Sequence, residues 1–133
     1  MKIQRRIIDA MIDHARREAP LECCGLLAAR GGIVDECIPA RNLKASPVAF
    51  LVDPADHFAA LKRTRGDGRD IVGAYHSHPT SPAVPSPTDL AEAHYEDYLY
   101  VIVSLSTPIP EVRGYRLVSG RFEEVWLETT AIG

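Results

Sequence analysis

Ile71-Val-Gly-Ala-Tyr-His76-Ser-His78-Pro-Thr-Ser-Pro-Ala-Val-Pro-Ser86-Pro-Thr-Asp89 is the stretch around which the rest of the chain is organised. It opens on an apolar run suited to a strand, and in an extended chain residues i and i+2 share a face. His76 and His78 therefore point to one spot. Pro79, Pro82 and Pro85 follow; proline has no N–H to donate and resists helix interiors and central strands, so this is a stiff loop. Ser86-Pro87-Thr88-Asp89 then reads as a helix start, with a capping serine, a proline at the first helical position and a carboxylate in the first turn. Two imidazoles at a strand end and a carboxylate at a helix start form the three-ligand set of a catalytic zinc, whose fourth position is left to water. Each piece also has a plainer reading. Ser86-x-x-Asp89 is close to a capping box, and a His-x-His pair can end an exposed strand without any ligand. Their order along the chain favours the metal.

His76-x-His78, seven residues, Ser86, two residues, Asp89 resembles the signature of the JAMM (MPN+) metalloproteases. Upstream, Pro20-Leu-Glu22-Cys-Cys-Gly-Leu-Leu27 resembles the glutamate segment of the same family. The resemblance implies Zn2+ on His76, His78 and Asp89, Glu22 as acid and base, and Ser86 as the group that stabilises the tetrahedral intermediate. It also implies a cytidine-deaminase-like α/β/α arrangement. Eukaryotic members that act on ubiquitin carry insertions for which this chain has little room. Short bacterial members act on ubiquitin-like sulfur-carrier proteins of the ThiS/MoaD type, at the C-terminal Gly-Gly tail, and that is the substrate class the resemblance implies. The alternative is a catalytically silent MPN scaffold for protein assembly, though such modules typically lose a ligand and all five positions are intact here. A zinc nucleoside deaminase shares the fold but needs H-x-E and P-C-x-x-C, and the chain has neither.

The 133 residues suit one domain spanning 1–133, with 46% hydrophobic and 25% charged residues as in ordinary globular proteins. A formal charge of -3 gives no basic field for nucleic acid. Charged residues interrupt the amino-terminal apolar positions, so neither a signal-peptide core nor a membrane span can be built there, and a cytoplasmic location is expected. Three cysteines without a secretory signal are expected as free thiols, although a bridge between Cys24 and Cys37 across neighbouring strands is conceivable. The sequence leaves the oligomeric state open.

Along the chain, residues 4–18 carry Ile7, Ile8, Met11, Ile12 and Ala15 at helical spacing, with His14 read as a surface residue and Pro20 as the stop. Residues 22–29 and 33–38 form a hairpin through Gly31-Gly32. Val48 to Val52 reads as a short strand, and Asp53-Pro54 starts a helix to about Arg65 that carries His57, a structural residue on this reading. Lys62, Arg63, Arg65 and Arg69 read mostly as a solvated face, with docking of an acidic partner as the lesser reading. The helix begun at Pro87 is expected to reach about Tyr98, with His94 off the metal-ligand spacing. Residues 100–105, 112–118 and 122–127 read as strands, with a turn at Ser119-Gly120. Strands interspersed with helices, several of them hairpin-connected, predict an α/β (α+β) fold with a mixed sheet packed between helices.

Overall fold

The structure, a computed structural model, describes residues 1–93 and 95–131. The element order is β1 (Lys2–Gln4), α1 (Arg5–Glu18), β2 (Cys24–Arg30), β3 (Ile33–Ala40), α2 (Pro54–Gly66), β4 (Asp70–His78), α3 (Pro87–Glu92), β5 (Leu99–Ser104), β6 (Glu111–Val118), β7 (Arg121–Val125) and β8 (Glu128–Thr130). The strands make one mixed sheet in the order β7-β6-β5-β4-β2-β3-β1-β8. β4 lies near its middle, antiparallel to β2 and parallel to β5. No helix among the described residues is long and apolar enough to cross a membrane.

Alternation along the central strands divides the core. Leu27, Tyr75, Val101 and Val103 pack with Ile7, Met11 and Ala15 of α1, while Leu26, Ala28, Ala74 and Tyr100 pack with Ala60 of α2. The period of two in each strand therefore decides which helix it meets. His76 and His78 share the register of Ala74 and so fall on the α2 face. Both expected tight hairpins form: Gly31 and Gly32 have φ of 59° and 79°, and Ser119 and Gly120 have φ of 49° and 76°, the twist that two-residue hairpins require.

The Pro-rich loop is held by its carbonyls, because its prolines cannot donate. Ser104 Oγ donates to Ser81 O (2.6 Å), His78 Nδ1 to Pro82 O (2.8 Å) and Tyr115 Oη to Ala83 O (2.6 Å). Three consecutive carbonyls are thereby fixed by side chains from three strands.

Several expectations are corrected. Val48 to Val52 forms no strand; a single bridge joins Asn42 to Val52, and the Asn42 side chain replaces the ladder. Its Nδ2 donates to Glu22 O and Ala49 O (3.1 Å each), and its Oδ1 accepts from Lys44 N and Leu51 N (3.0 Å each). α3 stops at Glu92 instead of near Tyr98, because Tyr100 Oη exchanges hydrogen bonds with the backbone N and O of Tyr95 (3.1 and 3.2 Å), holding that segment against the sheet in irregular form. β1 and β8 were not expected, and at three residues each they are too short for alternation to register. His14 is buried, not on the surface: its Nδ1 hydrogen-bonds Tyr75 Oη at 2.8 Å. All three cysteines are free, and the register sets Cys24 opposite Ala40 and Cys37 opposite Leu27, so the conceivable bridge does not form. Within the basic run, Arg69 pairs with Asp35 (2.6 Å) and Glu36 (2.8 Å), and Arg63 with Glu36 (2.8 Å). These two arginines are neutralised within the fold, which removes them from a docking patch.

Gly73 lets β4 and β5 approach, since a Cβ there would collide with the Leu99 carbonyl oxygen. Gly73→Ala is expected to lower stability by about 3 kcal/mol, the upper range for overpacking. Gly66→Ala, in open space at the end of α2, is expected to be neutral or stabilising by up to about 1 kcal/mol. Parallel urea titrations test the contrast.

Candidate metal centre

β4 delivers His76 and His78 from alternate positions, and the first turn of α3 brings Asp89 over them. All three are buried, at 3%, 3% and 5% exposure. His76 Nε2 lies 3.2 Å from His78 Nε2 and 3.2 Å from Asp89 Oδ2, and His78 Nε2 lies 3.0 Å from the same oxygen. The capping box is real as well: Ser86 Oγ accepts from Asp89 N (3.0 Å) and Asp89 Oδ2 accepts from Ser86 N (2.9 Å). The cap thus aims the carboxylate at the histidines.

This donor set fits a metal ion. His78 commits its Nδ1–H to Pro82 O, so the neutral ring turns a lone pair at Nε2 toward Asp89, an acceptor toward an acceptor. Only a cation between them makes that approach favourable. A tetrahedral ion with bonds of about 2.0–2.1 Å spaces its ligand atoms about 3.3 Å apart, close to the separations found here. A proton can serve in the same position. Burial works against protonation of His78, but the hydrogen bonds to Asp89 and Pro82 outweigh it and raise its pKa. For His76, burial prevails over Asp89 and keeps the ring neutral, the form a ligand needs. Burial would raise the Asp89 pKa; the two imidazoles more than offset it and hold the carboxyl well below the usual range.

Glu22 stands beside this group, immediately before β2. Its backbone N–H donates to Ser46 O (2.9 Å), its carbonyl accepts from Asn42, and the next residue, Cys23, donates to Ser77 Oγ (2.8 Å). The side chain is 4% exposed, and among the described residues Oε1 is buried with no hydrogen-bond partner. Burial pushes the Glu22 carboxyl up to about 7; nearby His78 opposes the rise and Asp89 adds to it. A buried carboxyl with a spare oxygen and a pKa near neutrality is suited to carrying a proton.

All five residues singled out in the sequence thus come together. Phe50 and Asn42 belong with them and were not anticipated. Phe50 stacks on the His76 ring at 4.3 Å and 19° between planes, and Asn42 ties its loop to Glu22. Neither carries the chemistry or spacing that marks a ligand. His57 stays off the centre, as expected, and His94 lies outside the described residues.

Comparison with known proteins agrees with this geometry. The family model described as prokaryotic homologs of the JAB domain matches residues 4–118. A CysO-cysteine peptidase of Mycobacterium tuberculosis is 35% identical over 125 residues, covering 92% of this chain and 86% of the relative. A desampylase of Haloferax volcanii is 40% identical over 103 residues, covering 72% of this chain and 74% of the relative. The solution structure of a protein from Desulfitobacterium hafniense superposes with a TM-score of 0.89 at 32% identity, covering 97% of this chain and 92% of that one.

Calorimetric titration of chelator-stripped protein with cobalt(II) is expected to give one ion per chain. His78→Ala and Asp89→Ala, checked for folding by circular dichroism, should weaken binding by more than the roughly 100-fold that loss of an outer-shell partner costs. Because the His78 pKa is raised, proton competition sets in above the ordinary histidine value of about 6.5. Affinity should fall as pH is lowered, by up to about tenfold per unit for each proton displaced.

Proposed function

We propose, since the chain belongs to the family of prokaryotic homologs of the JAB domain, that it is a zinc-dependent peptidase that hydrolyses the bond after the C-terminal Gly-Gly of a ubiquitin-like sulfur-carrier protein. The observation that carries the reading is the convergence of three buried ligand atoms, His76 Nε2, His78 Nε2 and Asp89 Oδ2, near Glu22, whose Oε1 has no hydrogen-bond partner among the described residues. Relatives named CysO-cysteine peptidase and desampylase support the substrate class. Free thiols at Cys23, Cys24 and Cys37 accord with a reducing compartment, and we assign the protein to the cytoplasm.

His76, His78 and Asp89 would hold the ion, which supplies an acidified water and polarises the scissile carbonyl. Glu22 takes the proton from the attacking water, since burial has made its carboxylate basic enough to hold a proton near neutral pH. The same carboxyl returns that proton to the departing amine, so amide and water yield a carboxylic acid and an amine, which at neutral pH leave as carboxylate and ammonium, with the catalyst unchanged. Ser86 is half-buried, and its Oγ uses a lone pair to cap α3, which leaves the O–H to donate to the oxygen that gains charge. The Glu22 N–H bond to Ser46 O on one side, and the Asn42 and Cys23–Ser77 bonds on the other, fix the backbone around Glu22, so little reorganisation accompanies proton transfer.

The test is a purified sulfur-carrier protein extended by one amino acid or a short peptide after Gly-Gly, with products read by mass spectrometry. Glu22→Gln is expected to retain zinc and lose about 10³-fold in kcat. Ser86→Ala should lose about 10²-fold. Zinc-loaded wild type that leaves every such substrate intact would overturn the hydrolase reading and favour an assembly scaffold.

A further inference from the structure

On the His76 face of β4, one residue pair away from the metal centre, is an apolar cleft of about 190 Å³. Its floor is Leu26, Ala74 and Tyr100, which are register partners on three adjacent strands. Its walls include Phe50, His57 and Tyr98. Phe50 is shared with the metal centre, through its stack on His76. We infer that this cleft is a specificity subsite that receives a bulky apolar side chain of the substrate, from the first residue on the carrier side of the Gly-Gly tail. The inference rests on the hydrolase reading above and adds to it the side chain that the enzyme selects.

Position gives the side of the scissile bond. Ala74 and His76 are two residues apart on an extended strand, roughly 7 Å. In the opposite direction from His76 lie His78 and Glu22, because β2 runs antiparallel with Leu26 opposite Ala74, Cys24 opposite His76, and Glu22 beyond them. Glu22 protonates the departing amine, so the amine side of the substrate lies toward Glu22 and the acyl side toward the cleft. Two glycines in an extended tail also span roughly 7 Å and offer no side chain. The first side chain able to fill the cleft is therefore that of the residue preceding them.

Size and chemistry give its class. A cavity of about 150 Å³ lined by apolar groups accepts a benzene-sized ligand, so this cleft suits a single leucine, methionine or phenylalanine side chain. The lining is rigid on one wall: Tyr95 stacks on Tyr98 at 4.6 Å, and Tyr100 Oη holds the Tyr95 backbone. Leu51 and Tyr95, which also line the cleft, are 39% and 47% exposed, so a side chain can enter past them. His57 Nε2 is buried without a hydrogen-bond partner among the described residues, and burial lowers the His57 pKa.

The experiment uses the zinc-loaded protein and carrier-tail peptides of the form X-Gly-Gly followed by one amino acid, with X as Leu, Phe, Ala or Asp. Wild type is expected to favour Leu and Phe over Ala by about tenfold or more in kcat/KM, with Asp poorest. Leu51→Trp, which narrows the entrance, should bring the Leu to Ala ratio near one, and Tyr98→Ala should shift the preference toward larger X. Product peptides ending X-Gly-Gly are titrated in parallel, reading the Ala74 methyl resonance by NMR. The Leu peptide should shift it and the Asp peptide should not. Equal kcat/KM for all X, or a preference that both variants leave unchanged, would overturn the subsite. If no peptide is cleaved, the extended carrier protein decides the hydrolase reading, and the Ala74 titration alone decides the cleft: selective shifts by the Leu peptide uphold it as a side-chain site, and none removes it.

Discussion

Two imidazole nitrogens and a carboxylate oxygen, all on buried residues and held 3.0–3.2 Å apart, set the terms for the rest of this molecule. Such a group is unfavourable without a cation at its centre, and it persists only if the surrounding structure over-determines it. Each member is fixed from a different direction. β4 is paired on both sides through His76, opposite Cys24 and Ile102, so the histidines cannot turn to the other face. Pro82 O fixes the His78 tautomer, Phe50 fixes the His76 ring, and the reciprocal cap with Ser86 fixes Asp89. The stiff loop is in turn pinned at three carbonyls, which sets where α3 can begin.

The two readings of Ser86-x-x-Asp89, helix cap and metal ligand, turn out to be one device. Asp89 Oδ2 accepts the Ser86 N–H and at the same time faces both histidines. A carboxylate has about four lone-pair sites, enough to serve the helix start and the centre together. A capping box at this point in the chain is the means by which a flexible carboxylate is given a single direction. It also leaves the serine hydroxyl half-exposed next to the centre, available to a substrate.

Legibility from the sequence followed the range of the interactions. The juxtaposition of His76, His78, Ser86 and Asp89 could be read because their constraints are local: period-two geometry on β4, turn chemistry in the loop, and cap chemistry at Ser86. The hairpins at Gly31-Gly32 and Ser119-Gly120 were legible for the same reason. What escaped was settled at long range. Asn42 holds Val48–Val52 as a clamped loop by hydrogen bonds to Ala49 O and Leu51 N, groups that no local pattern announces. Tyr100 ends α3 early from a different strand, and His14 is buried because Tyr75, 61 residues away, offers it a hydroxyl. Glu22 is intermediate: its spacing marks a strand start, and only the residues far downstream make it more than a solvated end.

The division of the sheet into two faces explains how a stable fold carries so costly a centre. The α1 face is closed by a helix whose apolar stripe meets Leu27, Tyr75, Val101 and Val103, and the buried polar pair His14 and Tyr75 there is satisfied. The opposite face is covered unevenly, by α2 at one end and by the short α3 at the other. Between them lie the metal centre and the aromatic cleft, where among the described residues Glu22 Oε1 and His57 Nε2 have no hydrogen-bond partner; Arg69 Nε and Thr130 Oγ1 have none elsewhere in the fold. Unsatisfied buried groups cost stability wherever they occur. The closed α1 face supplies the cohesion, while the open face holds two such groups beside the centre and the cleft, where a ligand can meet them.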